Sequence, residues 1–126
     1  MKVPENLLYT KEHEWISKKD NVVKVGITDF AQSQLGDIIF LELPEVGDQI
    51  IAGESFGEIE AVKTVSDLFM PISGEISSFN EALEDAPEKV NEDPYGEGWM
   101  IRIKGIDAAE VEALLSADAY KSLIAD

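Results

Sequence analysis

The chain has 126 residues, a length suited to one domain, and no cysteine, which excludes a disulfide framework, an iron–sulfur site and a thiol nucleophile. Its 26 acidic and 10 basic residues give a formal charge of −16, and such a surface repels nucleic acid and anionic membranes because it has no basic patch to neutralise phosphates. The single histidine, His13, argues against a His-based metal site, and Ser17 stands where a His-Glu zinc-protease motif would need its second histidine.

The hydrophobic content of 44% is that of a globular domain, so the charge does not imply disorder. It fits a soluble protein that meets electropositive partners, with encounters steered by charge and weakened by salt. No segment approaches the roughly twenty apolar residues of a membrane span. The run Met1-Lys2-Val3-Pro4-Glu5-Asn6 lacks the apolar core of a signal peptide and the arginine-rich character of a transit peptide. The expectation is a protein that stays in the compartment where it is made.

In chain order, residues 9–16 predict a strand, residues 18–21 a polar turn, and residues 22–27 the second strand of a hairpin. Thr28 and Asp29 offer a helix N-cap, and Gly36 a stop, for a two-turn helix docked through Phe30 and Leu35. Residues 37–43 are β-rich and end at Pro44, which has no backbone donor. Gly47-Asp48 and Gly53-Glu54 predict turns, with a short strand between them. Residues 75–79 alternate after a Ser73-Gly74 turn. Short strands with frequent glycine turns predict a β-sandwich or a partly open barrel.

Residues 80–98 carry Pro87, Pro94, Gly96 and Gly98 and predict a loop with at most one short helix. Residues 99–104 alternate as a closing strand. Asp107 and Glu110 have capping-box spacing at the start of a helix that aligns Val111, Leu114 and Leu115. Asp118 is the candidate cap of a second helical turn. Nothing resembles a linker, so the expectation is one domain over residues 1–126, with a C-terminal helical segment at about 107–124.

Lys63 stands out. Before it, Glu58 and Glu60 alternate with Ile59 and Ala61 as on a strand with one wet face; after it, Ser66-Asp67 leads into Leu68-Phe69-Met70. A reversal therefore falls at residues 62–65, with Lys63 projecting into water at the tip. An exposed turn lysine taken alone does no more than solvate its turn.

The surrounding residues change that. Gly47-Asp48, Glu60-Ala61-Val62-Lys63 and Pro71-Ile72-Ser73-Gly74-Glu75-Ile76 resemble the lipoyl-attachment hairpin of lipoate-dependent complexes. Biotin carriers bracket the lysine with methionines, where this chain has Val62 and Thr64. Tyr9-Thr10-Lys11-Glu12-His13-Glu14-Trp15, Val25-Gly26-Ile27-Thr28-Asp29-Phe30-Ala31-Gln32, Leu35-Gly36-Asp37, Glu42-Leu43-Pro44-Glu45-Val46-Gly47 and Asn91-Glu92-Asp93-Pro94-Tyr95-Gly96-Glu97-Gly98-Trp99-Met100 resemble the glycine cleavage system H protein family over nearly the whole chain.

That resemblance implies a mainly β lipoyl/biotinyl barrel-sandwich hybrid of two small antiparallel sheets, with a short internal helix and a C-terminal helix. It implies lipoate in amide linkage to Lys63, which would take the formal charge from −16 to −17. The implied function is carriage of an aminomethyl group from a pyridoxal-phosphate glycine decarboxylase (P protein) to a tetrahydrofolate-dependent aminomethyltransferase (T protein). Electrons then pass to a dihydrolipoamide dehydrogenase (L protein), and lipoate-attaching enzymes are the remaining partners. Such a carrier has no catalytic residue and no metal of its own. An H-like lipoate donor to other proteins is the alternative; an enzyme in its own right and an unmodified acidic binding module are the readings from other classes.

The cargo amine is cationic near neutral pH and its linkage hydrolyses, so sheltering it calls for a partly dry cleft with an acidic contact. Glu14 and Asp67 are the candidates, each against the bland alternative of an ordinary surface carboxylate. Phe30 stands on the short helix where relatives often carry a polar ring, with Gln34 one helical turn later, so no family role of a histidine on this helix transfers here. A Met-initiated chain without a presequence points to a bacterial or archaeal cytoplasm, or to the mitochondrial matrix for a processed form.

Overall fold

The computed structural model describes residues 2–125. Met1, the first residue of the run read for targeting signals, and Asp126, the last of the expected domain, lie outside that range. Nine strands form two antiparallel sheets. The larger contains β1 (Leu8–Tyr9), β2 (Glu14–Lys19), β3 (Val22–Ile27), β5 (Gln49–Ile50), β8 (Gly74–Phe79) and β9 (Ile101–Lys104), in the order β1-β2-β3-β9-β8-β5. The smaller contains β4 (Ile38–Glu42), β6 (Ser55–Ala61) and β7 (Val65–Phe69), in the order β4-β6-β7.

The inward faces share one core. Ile16, Val23, Val25, Ile76, Ile101 and Ile103 from the large sheet meet Ile38, Leu41, Ile59 and Leu68 from the small one, and all are buried. This is two-sheet packing, with alternation clearest in β9, where buried Ile101 and Ile103 flank Arg102, while Glu14, Trp15 and Ile16 of β2 are all buried. Trp15 lies directly across from Gly26, and a Cβ there would stand 2.7 Å from the indole, so the ring lies flat over the glycine. The indole Nε1–H donates to the Pro94 carbonyl at 2.9 Å. A second apolar cluster joins Trp15 and Tyr9 to Ala117 and Tyr120 of the C-terminal helix.

Several local expectations need correction. The stretch read as one strand is broken: residues 11–13 turn, His13 has φ 67, and β2 begins only at Glu14. The loop region holds two short helices, α2 (Ala82–Asp85) and α3 (Lys89–Glu92), rather than one. The closing strand forms as β9, shorter than the expected residues 99–104, and sits between β3 and β8. Asp107 does cap α4 (Ala108–Glu112), but Glu110 does not complete a capping box. Its carboxylate instead accepts from the Ser73 backbone N–H at 2.7 Å and the Ser73 hydroxyl at 3.1 Å. Ser116, not Asp118, caps α5 (Ala117–Ile124).

The short internal helix α1 (Asp29–Leu35) forms as its caps predict. Thr28 Oγ1 accepts from the Ala31 N–H at 3.1 Å, and Gly36 closes the helix with φ 82. Asn91 of α3 fastens its C-terminal end. The Asn91 amide donates to the Gly36 carbonyl at 2.8 Å and to Gln32 Oε1 at 3.0 Å, while its own oxygen accepts from the Ile38 N–H at 2.9 Å. Helix α1 is thereby fixed beside the start of β4, next to the hairpin that carries Lys63.

Candidate functional site

Strands β6 and β7 run together from Ser55/Phe69 up to Glu60/Val65, and the chain reverses through Val62, Lys63 and Thr64. The tip is pinned at its base. The Ala61 N–H donates to the Thr64 carbonyl at 2.8 Å, and the Val62 N–H donates to the Asp37 carbonyl at 3.1 Å. Lys63 is exposed and takes part in none of the ion pairs among the described residues. A rigid backbone thus presents an unpaired ammonium on a flexible four-carbon stem.

Two hollows lie beside this tip. One, of about 420 Å³, lies between Lys63, Val62 and the end of α1 at Gln34, Leu35 and Gly36. The second is a cleft of about 370 Å³, walled by Ile27, Phe30, Ala31, Leu35, Leu68 and Phe69. Gln34 and Leu35 line both, so the two hollows form a track along α1 leading away from the lysine.

Glu14 lies on this cleft, only 3% exposed. The Thr10 hydroxyl donates to its Oε1 at 3.0 Å, and the Phe69 N–H donates to its Oε2 at 3.1 Å. Burial pushes its carboxyl up to about 8, against the two hydrogen bonds, which favour the ionised form, while neighbouring Glu12 adds a small upward push. Near neutral pH this group therefore holds a proton, which it would lose to solvent when a cation arriving in the cleft favours the ionised form.

Asp67 is placed differently. It also borders the cleft but is exposed, and its register opposite Glu58 puts it on the outer face of the small sheet. Glu42, Glu58 and Asp67 form one acidic row across the three strands of that face. Phe40, Glu60 and Val65 form the row nearer the tip, with Phe40 57% and Val65 56% exposed. Both predicted acids thus border one cleft: Glu14 is buried in it, and Asp67 stands at its exposed margin.

The roles of Thr10, Phe30 and Gln34 escaped the sequence reading. Thr10 fixes Glu14 through its hydroxyl, which also accepts from the backbone N–H groups of Glu12 and Glu14 at 3.2 Å. A threonine four residues before an acid in a broken strand is a weak signal for this. Phe30 packs against His13, ring centroids 5.0 Å apart, so it lines the cleft as an apolar wall. Gln34 belongs to the track itself. Among the described residues there is no group of three or more His, Asp or Glu side chains that could hold a metal ion, and no helix is long and apolar enough to cross a membrane.

An aliphatic acyl arm fits these surroundings: an unpaired lysine, a track with apolar walls, and a buried carboxyl in the cleft to which the track leads. Comparison with known proteins gives the family. The model of the glycine cleavage H-protein family matches residues 7–126. The glycine cleavage system H protein of Bacteroides thetaiotaomicron is 58% identical over 124 residues, covering 98% of both chains. That of Anaeromyxobacter sp. (strain K) is 56% identical, covering 98% of this chain and 97% of the relative. The crystal structure of the glycine cleavage system H protein from Mycobacterium marinum superposes with a TM-score of 0.86 at 42% identity, covering 95% of this chain and 97% of that one. Its likeness accords with the lipoyl barrel-sandwich architecture of the two sheets. The chain belongs to the glycine cleavage H-protein family.

Proposed function

We propose that the chain is the lipoyl-lysine carrier of a glycine cleavage system, with lipoate in amide linkage to Lys63 and no active site of its own. The observation that carries this reading is the pinned hairpin tip with its exposed, unpaired Lys63, set at one end of a track that leads to Glu14. When bound, the lipoyl group supplies the sulfur chemistry that takes up an aminomethyl group at the glycine decarboxylase, yields it to the aminomethyltransferase and returns electrons through dihydrolipoamide dehydrogenase. The chain's own residues position and shelter.

Lys63 provides reach. Leu35, Phe30 and Leu68 give apolar walls that keep water from the cargo linkage. Glu14 supplies the counter-charge. It sits neutral while the cleft is empty, and a cationic amine arriving there favours its ionised form. A charge-assisted hydrogen bond of this kind contributes roughly 1.5–3 kcal/mol. Asp67 adds a weaker, solvent-screened contact at the margin. The bacterial relatives suggest a cytoplasmic setting.

Lys63→Arg keeps the charge but removes the amine that can be acylated. Combined with glycine decarboxylase, the lipoylated wild-type protein is expected to support glycine-dependent CO₂ exchange, and the Lys63→Arg protein, produced in the same way, to support none. Exchange at the wild-type rate by the variant would refute the proposal.

A further inference from the structure

We infer that Tyr120, from the C-terminal helix, holds His13 as a neutral imidazole with its proton on Nε2, so that His13 adds no competing positive charge to the cleft that receives a cationic cargo. The cargo clause rests on the carrier reading; the tautomer does not.

Thr28, at the head of the relay, is fully buried. Its Oγ1 accepts from the Ala31 N–H at 3.1 Å, and its one other hydrogen-bond partner among the described residues is the Tyr120 hydroxyl at 2.8 Å. The Thr28 proton therefore has one acceptor, the Tyr120 oxygen, and a buried donor left unpaired is strongly disfavoured. Tyr120 must then donate its own proton onward to His13 Nδ1, 2.8 Å away. Because Nδ1 accepts, the ring proton lies on Nε2. Nε2 has no protein partner, and no buried side-chain nitrogen or oxygen among the described residues lacks one, so Nε2 is open to solvent on a residue that lines the cleft.

The relay is held from several sides. Tyr9 stacks on Tyr120 with centroids 4.7 Å apart and planes 10° apart. His13 keeps its left-handed φ through bonds from its own N–H to the Thr10 carbonyl at 3.2 Å and from the Thr28 N–H to its carbonyl at 3.0 Å. A positive φ on a residue other than glycine persists only where its surroundings impose it. Glu12, Glu14 and Asp67 are the ionisable groups that line the cleft with His13, Tyr120 of α5 bonds its Nδ1, and Phe30 of α1 packs on its ring.

Protonating Nδ1 would require the chain of donors to reverse, stranding the Thr28 proton. Burial acts in the same direction and holds the imidazole below its ordinary range, against a smaller upward push from Glu12. A cationic His13 would place a positive charge on the wall of the cleft and repel a cationic cargo. Tyr120 is thus a positioning residue acting through His13.

The test uses ¹⁵N imidazole NMR of the protein without its arm, where the single histidine gives one pair of ring signals. The Nε2–H tautomer should dominate. Tyr120→Phe, which keeps the stacked ring, should raise the His13 pKa by about half a pH unit or more. Thr28→Val should act in the same direction, and Thr28→Ser should restore wild-type behaviour. In the loaded protein, Tyr120→Phe should move the acid-side rise in cargo release to higher pH. A dominant Nδ1–H tautomer, or a titration unmoved by Tyr120→Phe, overturns the relay. A moved titration with unchanged cargo release overturns the link to cargo. Failure of the wild-type protein to accept lipoate counts against the carrier reading and leaves the tautomer result standing.

Discussion

Glu14 differs from the other acids of the chain through its surroundings. It is buried, and its two oxygens are fixed by the Thr10 hydroxyl and the Phe69 N–H. Its carboxyl, raised from 4.5 to about 8, binds a proton in the folded state over a range where the unfolded chain has lost it. Stability should therefore be greatest below about pH 4.5 as far as this group is concerned, fall as pH rises toward 8, and level off above. Glu14→Gln should flatten that decline by roughly 2–5 kcal/mol, since each pH unit between the folded and unfolded pKa is worth about 1.4 kcal/mol, measured as urea midpoints against pH. The same variant should release cargo from the loaded arm about tenfold faster or more. Release at the wild-type rate would remove Glu14 from the cleft's chemistry. The sequence offered Glu14 through its His-Glu-Trp neighbourhood but carried no sign of its burial. That burial depends on Phe69, 55 positions away in the chain. Asp67 was equally visible as a residue, but its margin position depends on the register with Glu58.

At the scale of elements, the hairpin and α1 were legible because their signals are local. Thr28, Gly36 and the reversal around Lys63 each act within one turn of chain. What escaped depends on contacts distant in sequence: Ser73 drawing Glu110 out of a capping box, and β9 placed between β3 and β8. His13 illustrates the difference, since strand-like residues on either side hide a left-handed turn held by bonds to Thr10 and Thr28. The approach of β4 to β6 sets a limit on substitution. A Cβ at Gly57 would collide with the Glu42 carbonyl oxygen, which is backbone and cannot swing aside. Gly57→Ala should cost about 1–3 kcal/mol or more in thermal or urea unfolding and loosen the hairpin that carries Lys63. An unchanged midpoint would show that the two strands can separate at little cost.

For the whole molecule, the charge of −16 sets how it meets its partners. The small sheet shows an acidic row at Glu42, Glu58 and Asp67 behind the exposed Phe40 and Val65 near the lysine. A second copy brought against this face would set like charges together, so the face suits partners with basic rims. The kcat/KM of partner enzymes toward the lipoylated protein should fall several-fold between roughly 0.05 and 0.3 M salt, mostly through KM, as the Debye length shortens. A salt-independent KM would mean that the charge serves only to keep molecules apart.

Whether Lys63 carries the lipoyl group is decided by peptide mass spectrometry of protein produced in lipoate-replete cells. The lipoyl mass is expected on the Lys63 peptide and on no other lysine-containing peptide. An unmodified Lys63 peptide, or the lipoyl mass on a different lysine, would contradict it.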